Sequence, residues 1–188
     1  MSKQPPQAFN PGKGDLSKLH EVQAQQAMTL DEQRQEAIAK RHAKGYRSAR
    51  ENLEALVDKD SFVEYGQLAV AAQRARRSLQ DLRTNTPADG VITGLATVNA
   101  AQFGEERAAT AVVVNDYTVL AGTQGCFHHM KLDGIIHVAQ ERQLPVIMYT
   151  EGGGDRPADT DIQIGGGTLD VSSFVEWATL CNEVPTIA

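Results

Sequence analysis

The residue types best suited to chemistry crowd into one stretch of the chain, "YTEGGGDRPADTD", Tyr149 to Asp161. Three consecutive glycines, Gly152, Gly153 and Gly154, follow directly on the apolar run "LPVIM", and acids then surround Arg156. A glycine turn at the end of a strand can cradle phosphate, but that use needs a helix N-terminus and usually a Lys or a G-x-G-x-x-G frame. Neither stands beside these glycines. Alternatively, a backbone without Cβ atoms lets a ligand approach its N–H groups closely. Two such amides aimed at one oxygen make an oxyanion hole, in which each donor lowers a barrier by roughly 2.7–4 kcal/mol. A plain turn also satisfies the local sequence. Glu151, Asp155, Asp159 and Asp161 lack the alternating ligands and closing Glu of a calcium loop, so solvation or pairing with Arg156 is expected of them.

Elsewhere the candidates are weaker. His128 and His129 are adjacent on a helix and point about 100° apart, so they do not chelate together. His129, Asp133 and His137 recur at four-residue intervals on one face, which suits metal ligands or a solvated polar face. Cys126 lacks an activating partner, and the spacing of Cys126 and Cys181 fits no zinc or redox motif. Ser172 and Ser173 stand outside any G-x-S-x-G frame and read, with Asp170, as a helix N-cap. Arg74, Arg76 and Arg77 form a basic cluster, open to reading as a solvated helix face or as a phosphate contact.

The elements that must carry these residues follow from patterning. The 188 residues, 41% apolar, allow one domain with a real core and hold no run of membrane-spanning length. A net charge of −6 without long basic blocks argues against nucleic acid as the main partner. A polar, proline-bearing start without an apolar h-region and two unpaired cysteines fit the cytoplasm. Residues 1–28 read as a flexible arm, and 29–60 as a helical extension opened by a capping box, "TLDE", at Thr29–Glu32. Ile38, Tyr46, Ala49, Leu53 and Leu56 recur at helical spacing, with Gly45 splitting that helix in two. A short strand is predicted at Phe62–Tyr65. Two β-rich runs, "GVITGLATVN" and "RAATAVVVND", then make a hairpin. A helix follows over Cys126–Arg142 with Leu132, Ile135, Ile136 and Ala139 inward. After it come the strand "PVIMYT", a second glycine-rich loop "IGGGTLD", a helix from Val171 to Asn182, and a last strand at "VPTIA". The class is α/β, with working loops at strand C-termini.

With these residues assembled, the chain resembles the carboxyltransferase component of biotin-dependent acyl-CoA carboxylases of the acetyl-/propionyl-CoA type. The likeness runs through "ARENLEALVDKDSFVEYG", "ADGVITGLATVN" and "VVVNDYTVLAGTQG", and is strongest at "HHMKLDGIIHVAQERQLPVIMYTEGGGDRP". The resemblance implies a crotonase-like fold of stacked ββα units, here the incomplete N-terminal half of a carboxyltransferase domain over residues 61–188. It implies transfer of a carboxyl group from carboxybiotin to the α-carbon of an acyl-CoA through an enolate, with no metal in this chain. The pair of backbone donors maps onto Gly152 and Gly153, or onto Gly153 and Gly154 if the register shifts. Arg74, Arg76, Arg77, Gly122, Gly125 and Arg156 are the expected substrate-binding residues. Implied partners are acyl-CoA, a biotin carboxyl carrier that bears the biotin, a biotin carboxylase, and further copies of the chain, in fatty acid metabolism. Two features depart from the family pattern. The chain ends inside the first half of such an enzyme, so it is expected to be inactive alone, and the hairpin tip "NAAQFGEERA" is long. A crotonase-fold hydratase or isomerase with Glu151 as base, a decarboxylase, and a non-catalytic CoA-binding fragment are the rival readings.

Overall fold

The computed structural model describes residues 16–157, 159–161 and 172–188. In chain order the helices and strands are α1 (Ser17–Ala27), α2 (Gln35–His42), α3 (Ala49–Leu56), β1 (Val63–Tyr65), α4 (Leu79–Asn85), β2 (Val91–Thr97), α5 (Ala100–Phe103), α6 (Glu105–Ala108), β3 (Ala109–Asn115), α7 (Cys126–Arg142), β4 (Val146–Tyr149), α8 (Ser173–Leu180) and β5 (Thr186–Ile187). Among the described residues the strands make one sheet in the order β1-β2-β3-β4-β5. The first three are antiparallel, with β2 and β3 in register from Val91↔Asn115 to Thr97↔Ala109; β4 and β5 then add in parallel.

The core explains why β3 is an unbroken apolar run rather than an alternating one. Ala111 and Val113 face α7 and α8, in a cluster with Val91, Leu132, Ile135, Ile136, Ala139, Val146 and Leu180. Val112 and Val114 face the opposite way, into Ala49 and Leu53 of α3, Ile92 and Ala96. A strand covered on both faces has no solvent side to make polar. The inward face predicted for Cys126–Arg142 is buried as expected, and His128 joins it.

Several local expectations are corrected. "TLDE" starts no α-helix: the Thr29 hydroxyl donates backwards to the Gln26 carbonyl, and Asp31–Gln33 is a short 3₁₀ turn. The capping box lies instead at Ser48–Glu51. There the Ser48 Oγ accepts from the Glu51 N–H, and the Glu51 carboxylate accepts from the Ser48 N–H. Gly45, at φ +79°, does break the helical extension, leaving α2 and α3 as separate pieces. Inside the segment expected as an arm, α1 is a regular helix none of whose side chains is fully buried. The hairpin tip folds into α5 and α6. Ser172 and Ser173 do not cap α8; both hydroxyls donate to Asp133 of α7. The "IGGGTLD" loop, Val171 and Asp170 lie outside the described residues.

Candidate active site

Two loops leave the C-terminal ends of adjacent parallel strands and meet. After β3 the chain turns through Leu120, Ala121 and Gly122, all at positive φ (48°, 57° and 68°), before Thr123–Gly125 lead into α7. After β4 it enters the three glycines. The backbones touch where they cross. A Cβ on Gly122 would sit 2.6 Å from the Glu151 carbonyl oxygen and 2.7 Å from the Gly152 Cα, and one on Gly152 would overlap the Gly122 carbonyl. No larger residue fits at either position without moving the facing loop. Gly153 is looser: a Cβ there would lie 3.1 Å from the Thr123 methyl.

Beyond the crossing the loops pair like strands. The Gln124 N–H donates to the Gly154 carbonyl at 2.8 Å and the Arg156 N–H to the Gln124 carbonyl at 2.9 Å. The N–H groups of Gly152 and Gly153 find no backbone acceptor among the described residues, and both glycines are exposed.

Both ends of the turn are anchored. At its far end Arg156 is buried, paired with the Asp89 carboxylate, and donates through Nη2 to the Thr123 carbonyl at 2.5 Å. Asp89 in turn accepts the His128 N–H at 2.8 Å, while Asp159 accepts the Cys126 N–H at 2.9 Å and the Gln73 amide at 3.1 Å. The first turn of α7 is therefore filled by protein carboxylates, which closes the phosphate-cradle reading of this neighbourhood. A Cβ on Gly125 would strike the Arg156 guanidinium and the Asp159 carboxylate, so Gly125 serves this buried network. Arg156, expected to bind substrate, spends its guanidinium on the fold.

At the near end, each oxygen of Glu151 accepts from Arg41 of α2 at 2.7 Å. Arg41 also donates to the Arg47 carbonyl at 3.2 and 3.1 Å, and its guanidinium lies over the rings of Tyr46 (5.0 Å) and Tyr117 (5.5 Å). At the N-cap of α2, Arg34 donates to Asp116 at 2.6 Å and to Thr118 at 2.5 Å. A groove of about 910 Å³, lined among others by Arg34, Lys40, Lys44, Tyr46, Tyr117 and Glu151, runs beside these contacts toward the glycine turn.

Burial sets the titration of the surrounding groups. It holds His128 down to about 3 and lowers His129, raises the Cys126 thiol, and raises Asp89 against the opposing pull of Arg156. With its pKa near 3, His128 is too weak a base to take up a proton near neutral pH, and the raised pKa of Cys126 disfavours its thiolate. His129 meets Ser173 at 3.3 Å and His137 meets Glu141 at 3.3 Å; Asp133 is taken by the two serines. Among the described residues no group of three His, Cys, Asp or Glu is placed to hold a metal. Arg77 pairs with Asp81, whereas Arg74 and Arg76 are exposed and do not line the groove. Arg41 and Asp89 were invisible as site residues in the sequence, the first resembling a solvated helix face and the second a turn residue.

The carboxyl transferase domain family matches residues 40–188, and the chain belongs to that family. The chain is 33% identical over 121 residues to the propionyl-CoA carboxylase beta chain of Saccharopolyspora erythraea, covering 64% of this chain and 20% of that protein. To the biotin-dependent acetyl-/propionyl-coenzyme A carboxylase beta5 subunit of Mycobacterium tuberculosis it is 30% identical over 153 residues, 81% of this chain and 25% of that one. Among solved structures, a single-chain, multi-domain long-chain acyl-CoA carboxylase superposes with a TM-score of 0.85 at 52% identity, over 92% of this chain and 17% of that chain. The transcarboxylase 12S structure, at 23% identity and a TM-score of 0.59 over 90% of this chain and 28% of that one, shares the fold. The fold is thus the crotonase-like one of carboxyltransferases, and the chain spans about a fifth to a quarter of the length of the curated relatives it matches.

Proposed function

We propose that this chain supplies the acyl-CoA side of a carboxyltransferase site in a biotin-dependent acyl-CoA carboxylase. The observation that carries the reading is the pair of exposed amides at Gly152 and Gly153, without an acceptor among the described residues, on a turn anchored at both ends. Loss of the α-proton from an acyl thioester puts negative charge on the thioester oxygen. Fixed N–H donors that meet that charge as it forms lower the barrier without first having to reorganise. The new C–C bond forms at the α-carbon as the N–C bond of carboxybiotin breaks, and the biotin nitrogen so released takes the α-proton. No protein base is then required, in keeping with the neutral, buried His128. The hydratase reading needs Glu151 as a free base, but both its oxygens are held by Arg41.

Gly122 supports the site by letting the two loops touch, and Gly125 by making room for the Arg156 network. Arg74 and Arg76, exposed on one side of the molecule, are assigned to the phosphates of coenzyme A. The biotin side belongs to a second half of such an enzyme, with the carrier-borne biotin, a biotin carboxylase and further copies of the chain as partners. The setting is cytoplasmic fatty acid metabolism, and transcarboxylation requires that second half.

The test is Gly153→Val in the complete enzyme that contains this segment. Val keeps the N–H, but its branched side chain blocks and misdirects the donors, which predicts a kcat lower by about a hundredfold or more, with CoA thioester affinity measured in parallel to separate simple exclusion. Near-normal kcat in the folded variant would remove these amides from the mechanism.

A further inference from the structure

The helical extension reaches the glycine turn through Arg41. We propose that Arg41 is a positioning residue for carboxyl transfer: through Glu151 it fixes the start of the glycine turn, and so the direction in which the Gly152 and Gly153 amides point. The inference rests on the oxyanion reading above and adds what that reading leaves open, how the near end of the turn is held.

Arg41 is built to be immobile. Two of its nitrogens donate to the Arg47 carbonyl, two aromatic rings flank its guanidinium, and the remaining edge presents a fork to both Glu151 oxygens. A bidentate fork fixes direction as well as distance, which a single ammonium does not. Glu151 is the residue before Gly152, and its carbonyl packs against Gly122. Any displacement of Glu151 therefore moves the glycine crossing itself. The far end of the turn is locked by Arg156 on Asp89, 67 residues away in sequence. Without Arg41 the turn would be a peg with one end free. The Glu151 side chain retains 36% of its exposure, against 10% for Arg41, so water screens the pair's charge attraction while leaving its geometry intact. Its effect should appear in catalysis more than in stability.

The experiment compares Arg41→Lys, Glu151→Gln and the double variant in the complete enzyme, reading kcat, the acyl-CoA KM, and the affinity of a CoA thioether that lacks the carbonyl. Misplaced donors predict kcat lower by about ten- to a hundredfold, with KM and thioether affinity within about threefold. The double variant should be no worse than the poorer single one, because the two residues act as one unit. Glu151→Gln keeps the test open if Arg41→Lys fails to fold. Unchanged kcat in the folded variants, or thioether affinity falling in step with kcat, overturns the proposal. If Gly153→Val is damaging while Arg41→Lys is silent, Arg41 alone is dismissed. If both are silent, the oxyanion reading falls with it.

Discussion

Beneath the glycine turn the Asp89–Arg156 pair is almost wholly shut off from water, with side-chain exposures of 0% and 3%. Removing one member of such a pair strands the other, so Arg156→Gln should lower unfolding stability by about 3–5 kcal/mol. Adding Asp89→Asn should recover part of that loss, which urea titration of both variants would show. His128 beside it gives a pH signature. Burial holds its folded pKa at about 3, whereas in the unfolded chain it protonates near its ordinary value of 6.5. Between those values the unfolded state binds the extra proton. Stability is therefore intact above about 6.5 and declines as pH falls toward 3, at up to about 1.4 kcal/mol per unit. Exposed carboxylates add slope of the same sign, so the measurement is a difference. His128→Leu should flatten the stability–pH curve between pH 7 and 5, and an identical slope in the variant would count against the buried neutral histidine. Asp89 and the burial of His128 were not legible in the chain. Asp89 sits in "PADG", an ordinary turn string, and its partner lies 67 residues away. Such pairings are set by tertiary proximity, which periodicity does not encode.

Elements were legible in proportion to how far local chemistry alone decides them. The helix Cys126–Arg142 and the β2–β3 hairpin emerged as expected because their apolar residues recur at periods of 3.6 and, on buried strands, as near-continuous runs. The capping box misled because "TLDE" and "SARE" both offer a hydroxyl and a carboxylate three residues apart, and only the second precedes an amphipathic turn whose Ala49 and Leu53 can be buried. Ser48→Ala should therefore cost about 0.5–2 kcal/mol, while Thr29→Ala, which removes no cap at an α-helix start, should cost less. Thermal unfolding of the two variants tests the ranking. The glycine turn was recognisable as special because three residues without side chains at a strand end are rare. Its anchors were not, since α2 shows only a polar helical surface until Glu151 is brought against Arg41.

Across the whole molecule the sheet divides the labour. Its α7–α8 face carries the larger apolar cluster, its α3 face a smaller one, and the two glycine-bearing loops meet where β3 and β4 end. Family membership places this platform among carboxyl transferase domains, while the ion pairs fix where its parts stand. Those pairs also impose an order in time. Arg34 reaches a partner 82 residues on and Arg41 one 110 residues on, so the N-terminal helices leave the ribosome long before their anchors exist. Chain closure over such spans becomes only slowly dearer with length, about 0.6 kcal/mol per doubling, but it cannot begin until the far residue is made. Nascent chains stalled before Glu151 emerges should leave Gln35–His42 open to protease, and chains stalled well after Asp161 should protect it. A residue made 110 positions later thus decides when Gln35–His42 becomes fixed structure.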